Sequence, residues 1–450
     1  MKKNEEYIVN IIDNGYSGEG IAKIEGFVVF VPNAIKGEKI KIKILKVLKN
    51  QAFGKIVEII EKSEFRKEID CQTFNRCGGC NLRHIEYENT LQIKKDAVEA
   101  TVKKALGRQI EISEILGMDN PYNYRNKLQY PVGVDKDGKP VMGVFAERSH
   151  SIIQTTNCLI QDELSQKIAN DIFEFIVKNN IKVYDEKKLI GSIRHIIIRI
   201  GKKTNEIMVT IVTNTNKIEK EQELVEFITS KYTEIKTIVK NINNKNTNVI
   251  LGNKNEILFG DGYIYDYIGD YKFKISPMSF YQVNPIQTEK LYSKAVEYAE
   301  LTGKETVFDL YCGIGTIGIF ASKKVGKLYG IETVPEAIED AKQNAKLNNI
   351  ENAEFFVGDV EKTLPEFIKQ RKIKPDVVFL DPPRKGCDKT ALETILQIKP
   401  EKIVYVSCNP ATLARDLKIL EEKYELKDIS ICDMFPYTYH VESVAVMCLK

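Results

Sequence analysis

Thr306-Val-Phe-Asp309-Leu-Tyr311-Cys312-Gly313-Ile-Gly315-Thr-Ile317 decides how the rest of the chain is read. An apolar, β-branched run reaches Asp309 and Leu310, two glycines interrupt it, and helical spacing resumes at Thr316, so the stretch reads as strand, glycine turn and helix. Glycines at such a turn let backbone approach a ligand at the switch point of a sheet. A Gly-x-Gly pair alone says little; its weight comes from the segments that follow. Leu328 to Glu332 is a second short strand, ending in an acid about twenty residues on, where ribose hydroxyls can be held. Glu354 to Asp359 is a third, with Asp359 in reach of an adenine edge. Pro375 to Arg384 is a fourth, and its terminal Asp381 is stiffened by Pro382 and Pro383. From Lys272 onward strands and helices alternate, after a helix expected over 286–301, which argues for a doubly wound parallel sheet.

Asp309, Glu332 and Asp381 at successive strand ends favour a cofactor cleft over simple turn capping. With no third glycine, no long phosphate loop and no Gly-Lys-Ser, a dinucleotide or ATP fits poorly. This order of elements resembles class I S-adenosylmethionine methyltransferases, whose fold is Rossmann-like.

Lys402-Ile-Val-Tyr-Val-Ser407-Cys408-Asn409-Pro410 delivers a cysteine to a tight turn between a buried strand and a helix over 411–420. A cysteine after a strand is more often a small buried hydrophobe than a nucleophile. Here the following helix amino terminus is expected to favour the Cys408 thiolate. A thiol beside a methyl-donor cleft points to carbon methylation, because C5 of uracil is nucleophilic only after a thiolate has added to C6. A base must then remove the C5 proton. His440-Val-Glu442 near the carboxyl terminus offers two candidates, of which Glu442 is preferred to His440.

Nine cysteines divide into a group in the first third and a group in the last. Cys71-Gln-Thr-Phe-Asn-Arg-Cys77-Gly-Gly-Cys80 is a soft-metal signal, with Cys158 the natural fourth ligand; the set suits zinc or an iron-sulfur cluster. Its spacing differs from that of radical enzymes, which favours a closed structural cluster.

Residues 5–61 hold short β-rich runs broken by glycines, the pattern of a small OB-like barrel. Gly15-Tyr16-Ser17-Gly18-Glu19-Gly20-Ile21-Ala22 resembles the TRAM domain, an RNA-binding module. Lysines at 36, 39, 41, 43, 46, 49 and 55 would give one strand face a basic character. Between the two ends, a helix is expected over 84–106, strands over 120–133 and 143–158, and a mixed α/β region over 162–270. Asn123-Tyr-Arg-Asn-Lys127 mixes aromatic and basic residues and reads either as an RNA contact or as an ordinary exposed strand.

A chain of 450 residues needs more than one core. The reading is multidomain α/β: residues 1–61 a TRAM-like OB-fold, 62–270 a central α/β domain with the four-cysteine site, and 271–450 the methyltransferase domain. A net charge of +3 neither demands nor excludes nucleic acid. No apolar run is long enough to span a bilayer and no signal-peptide core is visible, so a cytoplasmic protein is expected; a monomer is expected separately.

Asp309-Leu-Tyr-Cys-Gly-Ile-Gly315, Asp381-Pro-Pro-Arg384, Ser407-Cys-Asn-Pro410 and His440-Val-Glu442 together resemble the RNA uracil-C5 methyltransferase family, most of all its 23S ribosomal RNA branch. The resemblance implies Cys408 as nucleophile, Glu442 as base, and S-adenosylmethionine held by Gln282, Tyr311, Glu332 and Asp381, with Asp309, Gly313, Gly315 and Asp359 in the same site. It implies a [4Fe-4S] cluster on Cys71, Cys77, Cys80 and Cys158, zinc being the alternative, and an RNA partner whose target uridine is flipped out of its stack. Rival readings are a tRNA uridine methyltransferase, a non-catalytic ribosome-assembly factor, a DNA cytosine-C5 enzyme and an amino-methyltransferase.

Overall fold

The structure, a computed structural model, describes residues 1–450. The amino-terminal sheet comprises β1 (Glu6–Asn10), β2 (Asp13–Asn14), β3 (Gly20–Ile24), β4 (Phe27–Val31), β5 (Lys39–Val47) and β6 (Gln51–Glu61), in the order β1-β5-β6-β4-β3-β2. Alternate residues of β5, Ile40, Ile42 and Ile44, are fully buried against Val9, Val29 and Val31, as the period-two pattern requires. A closed barrel was expected. Instead β1 and β2 are the two sheet edges, and the chain bends at Ile11–Ile12 from pairing with β5 to pairing with β3, so no continuous ladder closes the ring. The lysine row is also less free than its sequence suggests, because Lys36, Lys39 and Lys41 pair with Asp13, Glu61 and Glu6.

Next come α1 (Tyr87–Leu106), β7 (Glu114–Leu116), β8 (Lys127–Val134), β9 (Pro140–Phe145), β10 (Ile152–Gln154), α2 (Glu163–Lys178), β11 (Ile193–Ile200), β12 (Ile207–Thr213), α3 (Glu221–Lys231), β13 (Ile235–Ile242) and β14 (Lys254–Gly260). Seven of these strands form one sheet, β10-β9-β8-β11-β12-β13-β14, covered by α2 and α3. The strand expected from residue 120 starts only at Lys127, and the one expected over 143–158 is replaced by β9 and β10. The Asn123–Lys127 run is not an exposed strand: Tyr124 and Asn126 are buried, the Tyr124 hydroxyl donating to the Pro436 carbonyl and the Asn126 amide to that of Gln282. Its polarity is consumed in tying segments together, which local composition does not reveal.

After the hairpin β15 (Ile264–Ile268) and β16 (Tyr271–Ile275) come α4 (Pro285–Ala299), β17 (Thr306–Leu310), α5 (Thr316–Ala321), β18 (Lys327–Glu332), α6 (Pro335–Leu347), β19 (Ala353–Val357), α7 (Val360–Arg371), β20 (Val377–Leu380), α8 (Lys389–Ile398), β21 (Lys402–Ser407), α9 (Pro410–Leu420), β22 (Tyr424–Cys432) and β23 (Glu442–Leu449). Their sheet has the order β19-β18-β17-β20-β21-β23-β22-β7. It is mixed rather than wholly parallel, because β23 runs antiparallel between β21 and β22. One face packs on α1, α7, α8 and α9, and the other on α4, α5 and α6. Ile403, Val404, Tyr405 and Val406 of β21 are all essentially inaccessible, and burial of each such side chain contributes about 2 kcal/mol.

Two elements outside 271–450 complete this layer. The α1 residues Val98, Val102 and Leu106 sit in the same core as Leu413 and Leu417, and β7 pairs in parallel with β22. No helix is long and apolar enough to cross a membrane.

Candidate active site

The strand order reverses direction between β17 and β20, so the turns after these two strands diverge and leave a crevice at their carboxyl ends. A cavity of about 1170 Å³ opens there. Gln282, Tyr311, Gly313, Glu332, Asp359, Asp381, Cys408 and Glu442 all line it, although they come from seven separate stretches of chain. Asp309 and Gly315 do not line it. Asp309 is buried behind the wall, where its Oδ2 accepts the Gly318 amide at 2.8 Å.

Gly313 has φ +56° and open space where a Cβ would stand, so the backbone at this turn is bare toward the cavity. Its amide donates to Glu332 Oε2 at 3.2 Å, and the Val334 amide donates to Oε1 at 3.0 Å, which fixes the carboxylate at the end of β18. Burial alone pushes the Asp381 carboxyl up to about 7, with no cation or donor opposing it. A cavity wall bearing an uncompensated acid suits a cationic ligand, and a glycine cradle beside a fixed carboxylate suits a ribose. The residues therefore fit S-adenosylmethionine.

Cys408 lies between Ser407, the last residue of β21, and Asn409, whose side chain caps α9 by accepting the Ala411 amide. Asn409 Nδ2 also donates to the Arg384 carbonyl at 3.0 Å, so the cysteine turn and the Pro382-Pro383-Arg384 loop are clamped together. The antiparallel ladder ends with Ser407 opposite Ser443, which brings the turn carrying Cys408 near Glu442, and both side chains line the cavity.

The helix terminus does not lower the Cys408 thiol as the sequence suggested. Burial, then the Glu442 and Asp381 carboxyls, push it up to about 11 against the opposing charge of Arg384. Glu442 is itself held well above the carboxylate range by burial and by Asp381, again opposed by Arg384. His440 is driven down to about 4 by burial and by Arg384, Lys94 and Arg125, so its ring is neutral at ordinary pH.

The loop that leads to Glu442 is held from several directions. Asp433 pairs in full burial with Lys94, whose ammonium also reaches the Phe435 carbonyl, and it accepts the Tyr87 hydroxyl at 2.8 Å. Asn284 donates to the Met434 carbonyl and Gln287 to that of Asp433. These contacts were not foreseen, because their partners are scattered through the sequence. Also missed were Tyr292, Phe280, Glu361 and Phe435 on the cavity wall. Only Phe280 left a trace in the sequence, as an aromatic residue next to the Gln282 turn, and it is 73% exposed.

Cys71, Cys77, Cys80 and Cys158 line a second cavity, of about 680 Å³. Burial raises the Cys77 and Cys158 thiols and pushes Cys80 up to about 12, and neighbouring thiols raise each of these three further. The compact ligand group expected from the sequence is not formed: no three His, Cys, Asp or Glu side chains converge closely enough to hold a metal ion. Tetrahedral zinc would bring its thiolates within ~3.8 Å of one another, which follows from Zn–S bonds of ~2.3 Å.

A switch-point cavity with a glycine turn and acids after successive strands defines a class I S-adenosylmethionine-dependent methyltransferase. Comparison with known proteins takes this further. Residues 86–450 match the family described as tRNA (Uracil-5-)-methyltransferase, and residues 2–57 match the TRAM domain. The chain belongs to this family of S-adenosylmethionine-dependent RNA methyltransferases. It is 50% identical to an uncharacterized RNA methyltransferase of Clostridium acetobutylicum over 99% of this chain and 98% of that one. It is 48% identical to one of Clostridium tetani, over 99% and 97%. Among solved structures it resembles the Pyrococcus abyssi tRNA (uracil-54, C5)-methyltransferase in complex with S-adenosyl-L-homocysteine, with TM-score 0.78, 28% identity, and coverage of 98% of this chain and 100% of that one.

Proposed function

We propose that the protein methylates C5 of a uridine in RNA through covalent attack by Cys408. The observation that carries the reading is the convergence of Cys408, Glu442 and the methyl-donor crevice on one cavity. Gln282, Tyr311, Gly313, Glu332, Asp359 and Asp381 would hold S-adenosylmethionine, which would supply an electrophilic sulfonium methyl, while Asp309 and Gly315 shape the wall behind. Cys408 loses its proton to solvent and its sulfur bonds to C6 of an extruded uracil, moving the C5–C6 electron pair to C5, which would take the methyl group as the sulfonium S–CH3 bond breaks and leaves S-adenosylhomocysteine. Glu442 removes the C5 proton, and the electrons of that C–H bond expel the Cys408 thiolate and restore the C5–C6 double bond. A carboxyl whose pKa is raised by burial is the stronger base once ionised.

The favoured substrate is 23S ribosomal RNA, on the combination of a TRAM domain with four amino-terminal cysteines. The second reading is tRNA, on the whole-length likeness to an enzyme of that substrate. Cys71, Cys77, Cys80 and Cys158, which line one cavity, are proposed to hold a [4Fe-4S] cluster, with zinc as the alternative. Such a centre would fix the fold around its cavity.

The test is transfer of labelled methyl groups to RNA from cells lacking the protein, followed by mapping of 5-methyluridine. Label in large-subunit ribosomal RNA supports the first substrate, label in tRNA the second, and label on a nitrogen or on cytosine removes the reading.

A further inference from the structure

The turn between β2 and β3 reaches the carboxyl-terminal domain. It closes through the Gly15 amide to the Glu19 carbonyl at 2.7 Å and the Gly18 amide to the Gly15 carbonyl at 2.9 Å, and Asn14 binds it to the Gly18 and Ala34 carbonyls. Gly18 has φ +84°, and a Cβ there would stand 2.3 Å from a Leu82 methyl, so the turn is pressed onto Leu82 as only glycine permits. The Leu82 amide in turn donates to the Tyr437 carbonyl at 2.9 Å. The turn is thereby fixed relative to the loop that carries His440 and leads to Glu442.

From its apex, Tyr16 meets Tyr439 edge to face, with ring centroids 5.8 Å apart. Tyr439 lies 4.3 Å from His440, and His440 lies 5.9 Å from Phe435, which lines the Cys408 cavity. Tyr16 keeps 40% of its surface exposed, and its phenol stands within electrostatic range of Cys408, Arg384 and Glu442. A row of rings therefore runs from the amino-terminal sheet to Phe435 on the wall of the Cys408 cavity. At neutral pH the His440 ring in this row is uncharged.

Attack at C6 comes from the face of the pyrimidine, so the ring must be clamped against a surface while the sulfur approaches. Aromatic side chains clamp bases in a sequence-tolerant way. We infer that Tyr16, with Tyr439, stands just outside the residues that line the Cys408 cavity and stacks on the extruded pyrimidine as it enters, so that the amino-terminal domain supplies a positioning residue to the active site. This inference rests on the uracil-C5 reading above. Tyr16 acts on the geometry of attack, not on proton or methyl transfer.

The experiment compares wild type with Tyr16→Ala, Tyr16→Leu and Tyr16→Phe. The readouts are methyl transfer to RNA from cells lacking the protein, RNA affinity by filter binding, melting temperature, and covalent adduct with ribosomal RNA transcribed with 5-fluorouridine. Tyr16→Ala and Tyr16→Leu are expected to lower kcat and the rate of adduct formation roughly tenfold or more, the scale of one lost base stack. RNA affinity should change far less, and Tyr16→Phe should recover wild-type rates. Unchanged kcat in Tyr16→Leu overturns the inference, whether or not RNA affinity or melting temperature falls, since either would then reflect anchoring or packing. Absence of adduct in the wild type would instead overturn the uracil-C5 reading.

Discussion

Cys408 and Glu442 line one cavity, the thiol on the turn just after β21 and the carboxyl at the start of β23, the strand paired with it. Their charged forms repel, and each is held neutral at rest by burial and by Asp381 beyond them, with Arg384 as the cation that both feel. A cationic ligand entering the cavity changes this balance.

The Cys408 thiol should therefore titrate near 11 in the free protein. Below that pH its thiolate fraction rises tenfold per unit, so adduct formation should increase with pH. An added positive charge nearby favours the thiolate and typically shifts such a group by ~1–3 units. Ultraviolet titration of the thiolate, taken as the difference from Cys408→Ser, should show a downward shift with S-adenosylmethionine and a smaller one with S-adenosylhomocysteine, which lacks the sulfonium. Equal shifts with both would dismiss the electrostatic account.

Glu442→Gln removes the base but leaves nucleophile and cofactor cavity in place. Loss of a general base typically costs roughly 10²–10⁴-fold in rate. Because the missing step follows methyl transfer, a methylated RNA–protein adduct should accumulate and be visible by intact mass. Release of free 5-methyluridine product at the wild-type rate would assign the proton to another group.

Lys94 and Asp433 form a buried ion pair that anchors the segment leading to Glu442. Removing one partner of such a pair leaves an uncompensated charge and costs ~3–5 kcal/mol. Lys94→Met should lower the urea midpoint accordingly and reduce turnover, whereas Lys94→Met combined with Asp433→Leu should recover much of the stability. A midpoint unaffected by the single substitution would show that the segment is held by its other contacts.

Anaerobically purified protein should be brown and carry about four irons per chain. Cys80→Ser should lose the visible absorbance, weaken RNA binding, and leave S-adenosylhomocysteine binding intact, since the two cavities have separate linings. One stoichiometric zinc would assign the thiols to the other metal.

Much of the site was legible because its residues are punctuation in strongly patterned segments. Gly313, Glu332 and Asp381 follow apolar strands, and the switch-point rule places such residues together whatever the intervening helices contain. Cys408 was marked by the same logic. Asp309 was drawn into the same group but lies behind the wall on Gly318, because strand alternation turns its side chain toward α5. The parallel-sheet expectation failed at β23, whose direction depends on a reversal through residues 433–441 that alternating strands and helices do not encode. The thiol prediction failed for a related reason: a helix terminus is local, but the carboxyls opposing the Cys408 thiolate arrive from β20 and β23.

By itself the sequence determined the strand and helix periods, the glycine turn, the acids at strand ends and the cysteine at the tip of β21, since each depends on neighbours within a few residues. Only the tertiary structure decided that Glu442 shares a cavity with Cys408, that α1 and β7 complete the carboxyl-terminal layer, and that Tyr16 meets Tyr439 from the other end of the chain. Those relationships depend on register and on close packing between distant segments, and both are set by the burial of whole surfaces rather than by any local run of residues.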